Sequence, residues 1–324
     1  MKNIAVIIIL LVTFSCKKEI KNTKLVGEVF GTTYAFTYNS EVNYKTQFDS
    51  LFAVVNNSMS TYQDNSIISK LNDNELVEID DHFAYVFEAS KIIYKETDGA
   101  FDPTIGAVVN AWDFGPKGEI EELDTLSIDW LMRSVGLKQV TRIDNKIIKP
   151  KGTFLDFNAI AKGYGVDMIG EYLESQNVND YLVEIGGEIR TRGANVEKKH
   201  PWKVGIERPN FEGEHSILDV VILKDDAMAT SGTYRKFKID KEGKRYAHII
   251  DPKTGFPSKT NLLSISVIHE NCMTADAYAT AFKSMGLEKV KAFVKDRPDL
   301  KVYLIFENDK QELETLALNG FPEN

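Results

Sequence analysis

The chain has 324 residues, 43% of them apolar and 27% charged, with a net charge of −9. That is the balance of an ordinary globular protein with material for one large domain or two. The acidic excess argues against a general nucleic-acid surface, but not against a phosphate-bearing ligand held by local positive charge or a metal.

Residues 1–16 read as an export signal, with Lys2 as the charged start, an apolar run over 4–12, and then Ser15-Cys16. The run is about half of the roughly 20 residues a spanning helix needs, so it is set aside from the fold. Ser15-Cys16 resembles a bacterial lipobox, which implies that Cys16 carries lipid and becomes the mature N-terminus. Thr13 and Phe14 are not the commonest residues of that box, and simple cleavage is the alternative. The expected location is periplasmic, anchored by lipid to the inner membrane. Residues 17–24 are basic and polar and read as a tether; residues 25–324 make up the folded domain. With Cys16 lipidated, Cys272 has no intramolecular partner, so no disulfide is expected and Cys272 is a small buried apolar residue.

Residues 25–38 are β-branched and aromatic, a strand pair or one long strand, with Gly31-Thr32-Thr33 as turn or bulge. Helical spacing predicts helices over 42–59, 81–97, 159–175, 275–285 and 287–295, the second stopped by Gly99. Strands are predicted over 181–185, 202–207, 217–223, 263–268 and 302–306. Helices and strands mix without strict βαβ alternation, which favours an α+β fold.

The segment from Ser231-Gly232-Thr233-Tyr234 to Tyr246-Ala247-His248-Ile249-Ile250-Asp251-Pro252-Lys253-Thr254-Gly255-Phe256-Pro257 sets reactive side chains between tight-turn residues. Such a loop on a rigid strand is where catalytic groups tend to sit. His248 suits proton transfer at neutral pH. Asp276 and Thr280 are four apart on a predicted helix, so they project from one face. A carboxylate and a hydroxyl are hard oxygen ligands of the kind Mg²⁺ takes, with waters and substrate phosphate completing the shell. A helix-stabilising Asp276 and an inward-packed Thr280 are the competing account. Asp156 and Lys162-Gly163 flank a helix start, a plausible corner for an anion; a capped helix with a surface lysine is the alternative. Phe101 and Tyr62 offer rings able to stack on a flat heterocycle, although core packing accounts for most aromatic residues.

Five blocks together resemble the ApbE family of FAD:protein FMN transferases. They are the His248 segment, Gly99-Ala100-Phe101-Asp102-Pro103-Thr104-Ile105-Gly106 with Trp112-Asp113-Phe114-Gly115, Asp156-Phe157-Asn158-Ala159-Ile160-Ala161-Lys162-Gly163-Tyr164-Gly165-Val166-Asp167, Ile185-Gly186-Gly187-Glu188, and Thr274-Ala275-Asp276-Ala277-Tyr278-Ala279-Thr280. The resemblance implies a T-fold-like core with an added smaller lobe, to which residues 119–137 are assigned without a clean boundary. It implies Mg²⁺ on Asp276, Thr280 and Ala159, the last through its backbone carbonyl. It implies FAD held by Phe30 or its backbone, Tyr62, Ala100, Phe101, Asp102, Asp156 and Lys162, with His248 at the reaction centre. Phe30 stands where methionine is common, and Glu184 where asparagine is. The implied reaction is transfer of FMN from FAD to a threonine or serine hydroxyl of an exported redox protein, releasing AMP. FAD hydrolysis to FMN and AMP, or flavin binding without chemistry, are the alternatives.

Overall fold

The computed structural model describes residues 21–118, 123–233, 237–239 and 245–322. The export signal with Cys16, the first residues of the tether, part of the 119–137 segment and Tyr234 lie outside the described residues. Among those described, eight strands form one sheet. They run in the order Thr23–Val29, Thr32–Tyr38, Tyr181–Ile185, Glu188–Arg192, Ala227–Gly232, Leu262–His269, Lys301–Glu307 and Leu313–Leu318. Every neighbouring pair is antiparallel. With helices packed against it, the chain has the expected α+β architecture.

Strand residues alternate between two apolar layers, as a two-residue side-chain period requires. Val302 and Leu304 face a core shared with the helices, whereas Tyr303 and Ile305 face a second core. That second layer is closed by a small sheet of Lys203–Glu207 and Ile217–Ile222, through Val204, Ile206 and Val221. Cover on both faces explains why Leu262–His269 and Lys301–Glu307 are nearly continuous apolar runs.

On the helical side lie Lys45–Met59, Asp81–Glu96, Ala161–Ser175 and Cys272–Met285. Asp81–Glu96 buries Phe83, Val86, Phe87, Ser90 and Ile93, one stripe at helical spacing. The Asp80 carboxylate accepts the Phe83 N–H at 2.7 Å and starts the helix. Asp98 and Gly99, both at positive φ, end it. Residues 25–38 resolve as a hairpin: Phe30 and Gly31 have φ of 51° and 73°, the two left-handed residues of a type I′ turn.

The helix expected from residue 275 begins at Cys272, because the Asn271 side chain accepts the Thr274 N–H at 3.1 Å. Cys272 is fully buried, as expected. Helix Thr125–Met132 lies in the region assigned to the added lobe. Its Ile128 and Met132 pack beneath the turn at Gly255, where a Cβ would stand 2.7 Å from Ile128.

Candidate functional site

Two helices meet at a glycine. A Cβ on Gly163 would lie 2.4 Å from the carbonyl oxygen of Cys272 and 2.8 Å from the Cα of Met273. Only hydrogen at that position lets Ala161–Ser175 rest directly on the backbone of Cys272–Met285. The contact is braced twice. The Gly163 N–H donates to Asp276 Oδ2 at 3.1 Å. The Asp167 carboxylate accepts the N–H groups of Cys272 and Met273 at 2.9 and 2.8 Å, capping the second helix. Asp167 is itself paired with Arg190 at 2.9 Å. Burial raises the Asp167 pKa to about 6 even against the pull of Arg190 and those two N–H bonds. Ala159 lies just before the first helix, four residues ahead of the Gly163 whose N–H Asp276 accepts.

Asp276 is 4% exposed. Burial raises its pKa, and the Lys162 ammonium and Gly163 N–H only partly offset that. One turn on, the Thr280 hydroxyl lies 3.2 Å from Ser231 Oγ. Among the described residues no cluster of three His, Cys, Asp or Glu side chains could hold a metal. The donors implied by the family resemblance are the Asp276 carboxylate, the Thr280 hydroxyl and the Ala159 carbonyl. These are hard oxygens with a single formal charge, which fits Mg²⁺ that keeps waters and substrate phosphate oxygens in its shell.

The anion corner is narrower than the sequence implies. In the first turn of Ala161–Ser175, the Ala161, Gly163 and Tyr164 N–H groups are already bound to Phe157 O, Asp276 and Ile160 O. Recognition of an anion there falls mainly to the Lys162 side chain. Its ammonium is 2.6 Å from Glu188 Oε1; Lys162 is 31% exposed and Glu188 3%. Burial lowers the Lys162 pKa, but Glu188 and Asp276 outweigh it and hold the lysine above its ordinary value. Burial also pushes Glu188 up to about 7 against the attraction of Lys162. Glu188 belongs to one of the recognised blocks, but nothing in its spacing distinguishes a buried partner of Lys162 from a surface glutamate.

Asp156 and the 99–106 block run side by side. The Asp156 N–H donates to Pro103 O at 2.7 Å, and Ile105 bridges Phe154 in parallel fashion. Gly106 fits because a Cβ would stand 2.9 Å from the Phe154 carbonyl. Asp102 is buried and accepts both the N–H and the hydroxyl of Thr104, at 2.9 and 2.6 Å. Burial nevertheless raises its pKa. Tyr62 is 60% exposed, and its pKa is raised by desolvation and by the negative charge of Asp156, which places the phenol near that carboxylate. Its ring is available for stacking. Phe101 is not: at 2% exposed it packs among core residues, so the stacking role expected for it gives way to a structural one. What that segment offers a ligand is backbone and Ala100. Phe30 likewise turns inward, edge-to-face with Phe52 at 5.6 Å and against Gly165, leaving its backbone in the turn.

His248 is half-buried, its ring 6.3 Å from that of Phe114. Beyond it Asp251 organises a tight turn. The Asp251 carbonyl accepts the Gly255 N–H at 2.8 Å, and its carboxylate accepts the Lys253 N–H at 2.9 Å. The Trp112 indole donates to Gly255 O at 2.9 Å and packs on Phe256, tying the Trp112-Asp113-Phe114 block to this loop. The Ala227–Gly232 strand, which carries Ser231, leads through the Phe237–Ile239 and Arg245–Ala247 hairpin to His248. Ala100, Asp251, Lys253, Ser284 and Met285 line one cavity of about 510 Å³. The 99–102 turn, the His248 loop and the far end of the Asp276 helix therefore border a common space.

A model of the ApbE family matches residues 30–304. A FAD:protein FMN transferase of Haemophilus influenzae is 39% identical over 316 residues, covering 91% of this chain and 89% of the relative. One from Vibrio cholerae is 35% identical over 93% of this chain and 92% of its own length. Among solved structures, the flavin transferase ApbE from Vibrio cholerae superposes with a TM-score of 0.84 at 33% identity, over 93% of this chain and 98% of that one. The apo form of the Pseudomonas stutzeri flavinyl transferase ApbE gives 0.83 at 27% identity, over 94% and 97%. The recognised blocks, the antiparallel fold that carries them and these likenesses agree: the chain belongs to the ApbE family.

Proposed function

We propose that this protein is a Mg²⁺-dependent transferase that moves FMN from FAD onto a threonine or serine hydroxyl of an exported redox protein. The single observation that carries the reading is the contact at Gly163. It joins the buried carboxylate of Asp276 to the helix start that follows Ala159 and bears Lys162, within a chain whose family relatives are named for this transfer.

Asp276, Thr280 and the Ala159 carbonyl hold the metal. When bound, it neutralises charge on the pyrophosphate oxygens and on the leaving phosphate. Lys162 adds a point charge on the same diphosphate. Tyr62, Ala100 and its neighbours, Asp156 and the Phe30 turn fix the rest of FAD. The acceptor hydroxyl oxygen forms a bond to the FMN-side phosphorus, and the anhydride P–O bond breaks. AMP departs with that electron pair, and His248 takes the hydroxyl proton. The half-buried position of His248, beside the cavity-lining Asp251 turn, supports this role. Lipidation at Cys16 keeps the enzyme on the outer face of the inner membrane, where exported acceptors are met.

The test incubates the protein with FAD, Mg²⁺ and a flavin-carrying redox protein, following AMP release and an FMN adduct by mass spectrometry. Asp276→Ala should abolish Mg²⁺-dependent turnover while the protein stays folded. His248→Ala should cut single-turnover transfer by about 10²–10⁴-fold, the range for a positioned base, with little change in FAD affinity. AMP release without an adduct for any acceptor would make the protein a hydrolase. FAD binding without AMP release would make it a flavin carrier.

A further inference from the structure

The ion pair behind Lys162 is built with more care than a surface lysine needs. Glu188 opens the Glu188–Arg192 strand directly after Gly186 and Gly187, whose φ values of 63° and 105° only glycine adopts at low cost. That turn is pressed onto the first hairpin, since a Cβ at Gly186 would stand 2.7 Å from the Thr32 methyl. The Glu184 carboxylate fixes it from inside by accepting the Gly187 N–H at 2.6 Å. The outcome is a glutamate with 3% of its side chain exposed and one oxygen, Oε1, 2.6 Å from Lys162 Nζ. Its other oxygen, Oε2, is buried with no hydrogen-bond partner among the described residues. Buried carboxylates that serve packing alone are normally satisfied at both oxygens, because an orphan acceptor loses its hydration without a replacement hydrogen bond.

We propose that Glu188 is the positioning residue for Lys162, holding its ammonium in one place against the diphosphate of FAD; this rests on the function proposed above. Lysine is a point charge on a flexible four-carbon stem with large rotamer entropy. An untethered Lys162, 31% exposed, would follow any phosphate oxygen and bind FAD in several poses. Tethered from behind, it keeps two of its three N–H donors for the ligand and presents them at a fixed point. Charge that develops in the transition state is stabilised only by groups already in place. The same tether partly neutralises the lysine, so it lowers ground-state attraction for FAD while improving placement. Glu188 therefore raises turnover and not affinity.

The experiment uses Glu188→Gln, Lys162→Met and the double variant of the full chain. Glu188→Gln keeps the shape and removes the charge. Its kcat for FMN transfer should fall at least tenfold, while the FAD dissociation constant, read by flavin fluorescence, stays within threefold or tightens. Lys162→Met should weaken FAD binding at least tenfold. In the Lys162→Met background, Glu188→Gln should change kcat less than twofold, because the residue it positions is gone. The ³¹P resonances of bound FAD should move between wild type and Glu188→Gln and coincide between Lys162→Met and the double variant. Loss of FAD affinity with kcat retained, equal effects in both backgrounds, or an unmoved ³¹P spectrum would overturn the proposal. If the wild-type protein transfers no FMN, the proposed function fails, and the affinity and ³¹P readings still decide whether Glu188 positions Lys162.

Discussion

Lys283 is the most exposed weakness in the energetics of the site-bearing helix. It is 1% solvent-exposed, and the one hydrogen bond its ammonium makes among the described residues is to Thr260 Oγ1, at 2.9 Å. Among the described residues no carboxylate pairs with it, and burial alone pushes its pKa down from 10.5 to about 8. At about 1.4 kcal/mol for each tenfold change in proton affinity, that drop is worth roughly 3 kcal/mol against folding at neutral pH. Because the folded pKa is depressed, the unfolded chain binds more protons between about pH 8 and 10.5, so stability rises with pH across that window. Below pH 8 the full penalty is present, and above 10.5 it is gone. Lys283→Met preserves length and apolar stem while removing the charge. It gives up the bond to Thr260, worth about 1 kcal/mol net, although Thr260 still reaches the residue 283 carbonyl at 3.5 Å. The expected result at pH 7 is a stabilisation of about 2 kcal/mol. The gain should shrink through pH 9 and vanish or reverse by pH 10.5. Urea unfolding of both proteins at several pH values measures the difference directly, and shared titrations elsewhere cancel. A variant less stable than wild type at pH 7, or a difference that does not change with pH, would show that Lys283 is charged and satisfied in the folded state.

Gly163→Ala should cost about 1–3 kcal/mol, the range for overpacking a tight contact. On the proposed metal site it should also raise the Mg²⁺ concentration needed for half-maximal turnover, because parting the helices pulls Asp276 away from the Gly163 N–H; thermal melts and metal titrations of turnover check both. Gly170→Ala is the comparison: its Cβ would meet mainly the movable side chains of Arg190 and Tyr181 at 2.9 Å, so the Mg²⁺ requirement should not change. Cys16→Ser should move the protein from the membrane fraction to the soluble periplasmic fraction and leave the purified enzyme active. Firm membrane association of that variant would refute lipid anchoring.

The sequence by itself determined the class of fold and the family, and it singled out the candidate site residues. Those signals are local. Helical periodicity in 81–97 and turn chemistry at Gly31 and Gly255 depend on residues a few places apart. So does the four-residue spacing of Asp276 and Thr280. Strands such as Glu188–Arg192 and Ala227–Gly232 escaped because polar residues and small ones blur the two-residue alternation; their strand state comes from sheet neighbours distant in sequence. Tertiary structure alone decided which aromatic rings are core and which are surface. Phe101 and Tyr62 look alike in sequence, and burial separates them at 2% and 60% exposed. It alone decided that Gly163 lets two helices touch and that Glu188 stands behind Lys162. It also decided that Lys283, unremarkable in sequence, is a buried charge with no carboxylate beside it among the described residues. Each of these depends on desolvation and on contacts between residues up to 113 positions apart, as from Gly163 to Asp276. No periodicity along the chain encodes such distances; they exist only once the sheet and helices have packed.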